Sequence, residues 1–166
     1  MKNTVLFLSR SLCGLFIACQ PPAADQPMVD LDAVRAELQG LEDAYAKASN
    51  ERNVDGILGY YADDAQRLPD GEPTIKGKDA IRQHALKEIA ADTSGAKVRF
   101  EVVDVFAEGN LAVEVGRYIG TAPDGSEDRG KYMAIFEKRD GKYVCIRDIW
   151  NSDSDDDDEG DGDDED

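Results

Sequence analysis

From Asp30 the apolar positions Leu31, Val34, Leu38, Leu41 and Tyr45 recur at steps of three and four, which places one apolar stripe on a helix running to about Glu51. Tyr45 therefore falls on the buried side of that helix. A second, short helix is predicted over Val54 to Tyr61, with Asn53 or Asp55 available to cap its first turn. The segment "ADDAQRLPDGEP" reads as a turn, a short strand and a loop punctuated by Pro69, Asp70 and Gly71. A third helix, Lys78 to about Ala91, sets Ile81, Ala85 and Ile89 on one face.

From Lys97 onward the period changes to two. "KVRFEVVDVFAEGNLAVEVGRYIGTA" predicts two strands joined at Glu108-Gly109-Asn110, and "GKYMAIFEKRDGKYVCIRDIW" predicts another pair around Asp140-Gly141. Helices followed by long antiparallel strands define an α+β domain, its helices packed on one face of a curved sheet. The last strand carries a conflict. Strict alternation puts Val144, Ile146, Asp148 and Trp150 on one face, yet a carboxylate in an apolar row must be hydrogen-bonded, open to water in a cavity, or at the end of the core.

Charge and cysteine use divide the 166 residues further. The formal net charge of -17 is largely a tail effect, because Asp153 to Asp166 holds eleven acids and no base; without it the balance is -6. No basic cluster exists to hold nucleic acid. Met1 to Cys19 combines Lys2 and Arg10 with apolar runs and ends in Ile17-Ala18-Cys19. It resembles a bacterial lipoprotein signal, which implies that Cys19 is lipidated and the protein is exported to the periplasmic side of the cell envelope, anchored in a membrane. With Arg10 inside the apolar run and Phe16 in the cleavage box, an ordinary cleaved signal or short anchor is the alternative. The expected organisation is thus a signal over 1–19, a proline-rich tether over 20–29, a folded domain over 30–152 and a disordered acidic tail over 153–166. Cys145 then has no disulfide partner and is expected as a small core residue. "DDDDEGDGDDED" partly imitates a calcium loop, but in so acidic a segment some register always fits, and weak divalent binding is the most it implies.

No phosphate loop, dinucleotide fingerprint, paired Cys-x-x-Cys, zinc-protease or nucleophile-elbow motif occurs, so no cofactor or metal centre is expected. His84 is the single histidine, at the edge of the third helix's apolar stripe, and chemistry needing a histidine cluster is excluded.

The run "YAKASNERNVDGILGYYADDAQRLPDGEPTIKGKDAIRQHA" is similar to the first half of the nuclear transport factor 2-like superfamily, which contains ketosteroid isomerase and the SnoaL-like polyketide cyclases. "GRYIG" and "GKYMAIFEKRDGKYVCIRDIWNSD" resemble an uncharacterised bacterial lipoprotein branch of it. The resemblance implies a cone: three N-terminal helices packed on a strongly curved antiparallel sheet that encloses a pocket, a setting in which Asp148 and Trp150 can line an interior. It implies little retained chemistry. In ketosteroid isomerase a first-helix tyrosine and a protonated aspartic acid hold the enolate oxygen while a second aspartate moves the proton. The tyrosine falls at Tyr45, but the base falls at Pro69 and the neutral acid at about Ala134. Asp70 lies one residue from the lost base and points the other way. Asp148, on the strand beside Ala134, is the better substitute.

The expected site is therefore Tyr45 and Asp148 as catalytic candidates, with Tyr61, His84, Arg117, Tyr132 and Trp150 lining the pocket. Tyr45 as a plain core tyrosine, and an Arg117–Asp148 pair, are the alternatives. The expected function is binding of a small, partly apolar ligand. An isomerase, dehydratase or cyclase acting on a carbonyl compound is the alternative, and a homodimer with paired sheet faces is the third reading.

Overall fold

The first helix, α1 (Leu31–Asn50), starts where Asp30 accepts a hydrogen bond from the Ala33 amide at 3.1 Å, satisfying one of the donors a helix start leaves open. The computed structural model describes residues 29–153, so the segment ending at Cys19, the proline-rich stretch after it and the acidic tail beyond Asp153 lie outside the described residues. The buried stripe of α1 runs Val34, Leu38, Glu42, Ala46, whereas Leu31 is 47% exposed. Asn53 caps α2 (Val54–Tyr60) by accepting from the Gly56 amide at 3.1 Å. Strand β1 (Tyr61–Leu68) follows without a loop, and β2 (Ile75–Lys76) pairs back against it. Helix α3 (Lys78–Ala91) buries Ile81 and Ala85.

The remaining strands form a meander, β3 (Lys97–Glu108), β4 (Leu111–Thr121), β5 (Glu127–Arg139) and β6 (Lys142–Ser152). At the β5–β6 turn Asp140 and Gly141 both take positive φ, 51° and 81°, the backbone of a two-residue hairpin whose twist matches its strands. The sheet order is β2-β1-β6-β5-β4-β3, antiparallel except where β1 runs parallel to β6. Three helices on a six-stranded sheet give the α+β class, and the parallel β1–β6 contact is what brings the early chain against the last strand.

Two devices shape this sheet. The open edge of β3 is covered by α1, whose polar side chains take the place of a neighbouring strand. Arg35 donates to the Val103 carbonyl at 2.9 Å, Gln39 donates to Phe100 and accepts from Val102, and Asn50 donates to Val98 and accepts from its amide. An edge closed in this way offers no template for another chain. The second device is the bulge. The ladder slips in β3 between Val102 and Asp104, in β1 between Tyr61 and Gln66, and in β6, where Phe136 pairs with Cys145 but Ile135 pairs with Arg147. Ile146 is the extra residue of the last one.

That bulge alters the expected facing of the last strand. Tyr143 and Cys145 point into the core, at 4% and 0% exposure, while Val144 and Ile146 are half-buried. Beyond Ile146 the parity reverses and Asp148 turns inward. A bulge bends its strand and changes which residues face which side. Asp148 and Trp150 thus share the interior with Tyr143 and Cys145, rather than with Val144 and Ile146.

Candidate functional site

Arg67 on β1, Asp148 on β6, Ala134 on β5 and Glu114 on β4 stand in one row of cross-strand partners. All four are buried, Arg67 and Asp148 at 4% and 8% exposure. On the β1–β6 side the row opens into a cavity of about 360 Å³ whose wall includes Tyr45, Ile57, Arg67, Phe100, Asp148 and Trp150. Arg52 and Asp92 form an ion pair at 3.1 Å in the same wall.

The Tyr61 hydroxyl donates to Asp148 Oδ2 at 2.6 Å and lies 3.5 Å from the Tyr45 hydroxyl. Burial raises the pKa of Asp148; the Tyr61 bond and the Arg67 charge oppose that rise without cancelling it. Burial likewise raises Tyr45, a phenol that keeps its proton. Burial also works against the charge on Arg67, but the phenols of Tyr61 and Tyr45 with Glu88 and Asp148 outweigh it, and the guanidinium stays charged. Arg67 Nη1 meets Glu88 Oε2 at 3.0 Å and His84 Nδ1 at 3.2 Å, and its guanidinium carbon sits 4.7 Å from the Trp150 ring centre and 5.7 Å from that of Tyr61. The two aromatic rings add cation–π attraction to these contacts. Arg67 Nε has no partner.

Of the expected residues, Tyr45, Asp148 and Trp150 come together in the cavity wall. Tyr61 supports Asp148 from behind. His84 stands behind Arg67, bridging it to Glu72, whose Oε2 is 3.2 Å from Nε2. Tyr132 is buried deeper, edge-on to Phe100. Arg117 is a correction: it projects to the outer surface and pairs with Glu101 at 2.6 Å, so it neither lines the cavity nor meets Asp148. The reason is alternation. Gly116 takes the inward position on β4, where any Cβ would run into the Tyr132 ring, and Arg117 must face outward. Asp70 binds Asn151 and the Ser152 amide, away from the cavity.

Sequence reasoning passed over Arg67, Glu42, Tyr60 and Glu114. Three of them had a signal: Glu42 is four residues from Leu38 on the stripe, Arg67 alternates with Ala65, and Glu114 alternates with Ala112. The three residues other than Arg67 form a second polar cluster, closed off from the cavity. Tyr60 donates to Glu42 through a short hydrogen bond, and the Glu114 carboxyl faces Glu42 and the Tyr132 hydroxyl. Burial, reinforced by the nearby Glu114 carboxyl, pushes Glu42 up to about 10, and burial raises Glu114 as well. Two carboxyls so placed cannot both ionise. Among the described residues no group of three His, Cys, Asp or Glu side chains is arranged to hold a metal ion.

Solved structures share this architecture. A ketosteroid isomerase-like protein from Erwinia carotovora atroseptica SCRI1043 is similar with a TM-score of 0.62 and 20% identity, over 73% of this chain and 97% of that one. An NTF2-like protein of unknown function from Pseudomonas putida KT2440 gives 0.63 and 21%, over 76% and 91%. A Nostoc punctiforme protein of unknown function with a cystatin-like fold gives 0.67 and 16%, over 76% and 94%. At such identities these likenesses establish the fold, a nuclear transport factor 2-like cone. No curated protein matches the sequence. The SnoaL-like domain model matches residues 41–146, and the chain belongs to that family.

The Glu42 cluster fixes how stability responds to pH. Glu42 holds its proton in the folded state well above its value of 4.5 in a free chain, so its contribution is complete below about pH 4.5 and is lost as pH climbs toward 10. Stability should therefore fall as pH rises through that window. Replacing Glu42 by Gln keeps an acceptor for Tyr60 and removes the ionisation. Urea denaturation at a series of pH values is expected to give a flatter profile for E42Q and higher stability than wild type in alkali.

Proposed function

We propose that this chain is an exported binding protein, held at the periplasmic face of a bacterial membrane by lipid on Cys19, whose cone accommodates a small, partly apolar molecule without transforming it. The observation that carries this reading is the cavity itself: open, about 360 Å³, with apolar and aromatic walls and a polar side built from Arg67, Asp148 and Tyr45. Sites of this kind bind small molecules through apolar burial and orient them through a few polar groups. Against catalysis, Pro69 and Ala134 occupy the positions where the resemblance calls for a base and a neutral acid, and Asp148 is already engaged by Tyr61. The alternative, proton-transfer isomerisation, dehydration or cyclisation, assigns Asp148 the moving proton and Tyr45 the oxyanion.

Native mass spectrometry of the gently purified full chain is expected to find a retained small molecule that is unchanged after incubation. Asp148→Asn separates the two functions: it lowers affinity only a few-fold in a binding protein and removes turnover in an enzyme. A consumed ligand whose turnover D148N abolishes would replace the first reading by the second.

The outer face of the sheet favours an assembly reading alongside this one. Val115, Met133 and Ile149 are successive cross-strand neighbours there, and Phe106, Met133 and Ile149 are 60%, 45% and 42% exposed. A contiguous apolar patch on a sheet marks a contact surface, and the partner that suits it is a second copy paired face to face. Sedimentation is expected to give a dimer that Met133→Lys dissociates. A monomer at every concentration would contradict this.

A further inference from the structure

We infer that the ligand of this pocket is a small acid, a flat apolar or aromatic body carrying one carboxylate that seats against Arg67; this rests on the binding reading above. Charge balance in the wall carries the inference. Arg67 is a full cation with its side chain 5% exposed, whereas its formal counter-ion Glu88 is 45% exposed and reaches only Nη1, the nitrogen it shares with His84. Water screens so exposed a carboxylate, and Nε is left with no partner at all. The other ion pair of the wall, Arg52 with Asp92, cancels itself. Asp148 stands beside Arg67 in the ladder but engages Tyr61, in surroundings that disfavour its ionised form. The guanidinium is therefore held by one exposed carboxylate at a single nitrogen, and a second carboxylate arriving from the cavity adds a charge-assisted hydrogen bond that Glu88 does not supply.

The body of the ligand follows from the apolar part of the lining. Tyr45, Phe100 and Trp150 offer aromatic surface beside Ile57 and Ile89. The volume lies at the low end of the range of about 300–1,000 Å³ common for ligand pockets, room for one or two rings. A cationic ligand is disfavoured because Arg67 already occupies the Trp150 face and repels it. A neutral amide of the same shape loses the charge-assisted bond, which is about twice as strong as its neutral counterpart.

Trp150 is the chain's single tryptophan, so its emission reports from the pocket wall without a label. The full chain is titrated with phenylpropionate and with phenylpropionamide, which differ only at the acid group. The expected result is saturable change with both, the acid binding at least tenfold tighter, and a preference lost in Arg67→Gln while affinity for the amide holds. Equal or tighter binding of the amide by wild type overturns the acid class and leaves the pocket reading standing, a comparison that needs no variant. No response to either compound also overturns it; if acrylamide then fails to quench Trp150, the open pocket falls as well. A preference that survives in folded R67Q removes Arg67 as the anchor.

Discussion

The interior of this protein depends on one extra residue. Ile146 interrupts the ladder of the last strand, and the reversal it imposes turns Asp148 inward, onto the side that also carries Trp150. Without it, strict alternation from the buried Cys145 would carry Arg147 and Ile149 into the core and leave Asp148 facing water. The surroundings of Asp148 follow from that reversal. Asp148 meets the Tyr61 hydroxyl, the parallel β1 sets Arg67 beside it, and Trp150 supplies the face on which the guanidinium stacks.

The polar row across the sheet divides into two unlike halves. Toward β1 it is open, with a charged Arg67 and a carboxyl of raised proton affinity in a wall that a ligand can reach. Toward β4 it is sealed, with Glu42 and Glu114 sharing a closed interior with Tyr60 and Tyr132. Ala134 lies between them, its methyl group standing where ketosteroid isomerase chemistry would call for an acid. Carboxyls flank that position on both neighbouring strands, yet only Asp148 faces the cavity. Acid groups thus stand in the core on the strands either side of that position, one facing the cavity and one sealed from it.

Much of this was legible in the residues themselves. Asp30 and Asn53 are short polar side chains ahead of apolar periodicity, and both cap the helices they precede. Lys78 to Ala91 and the turn at Asp140-Gly141 fell where periodicity and turn chemistry placed them. Tyr45, Asp148 and Trp150, three residues singled out in the sequence, stand in the wall of one cavity. What escaped was parity. A bulge leaves no mark in a strand rich in β-branched residues, so Val144 and Ile146 seemed to share a face with Asp148. On β4 the buried pair is Ala112 and Glu114, while Val113 and Val115 are half-buried on an outer face that is itself apolar, so hydropathy alone does not mark which side is inside. Arg117 was expected inside but faces outward because Gly116 holds the inward position. A charged residue next to a glycine gives no sign that the glycine is needed inside to admit the Tyr132 ring.

The inward placement of Asp148 is open to direct measurement by carbon-13 NMR titration of its side-chain carboxyl. A carboxyl buried behind Tyr61 keeps its proton above the ordinary value of 3.8, and its resonance is expected to shift at correspondingly higher pH, in a step that Asp148→Asn removes. An Asp148 that titrates like an aspartate in the unfolded chain would mean that the strand continues past Ile146 without reversing. The cavity would then lose the polar side on which its proposed chemistry stands.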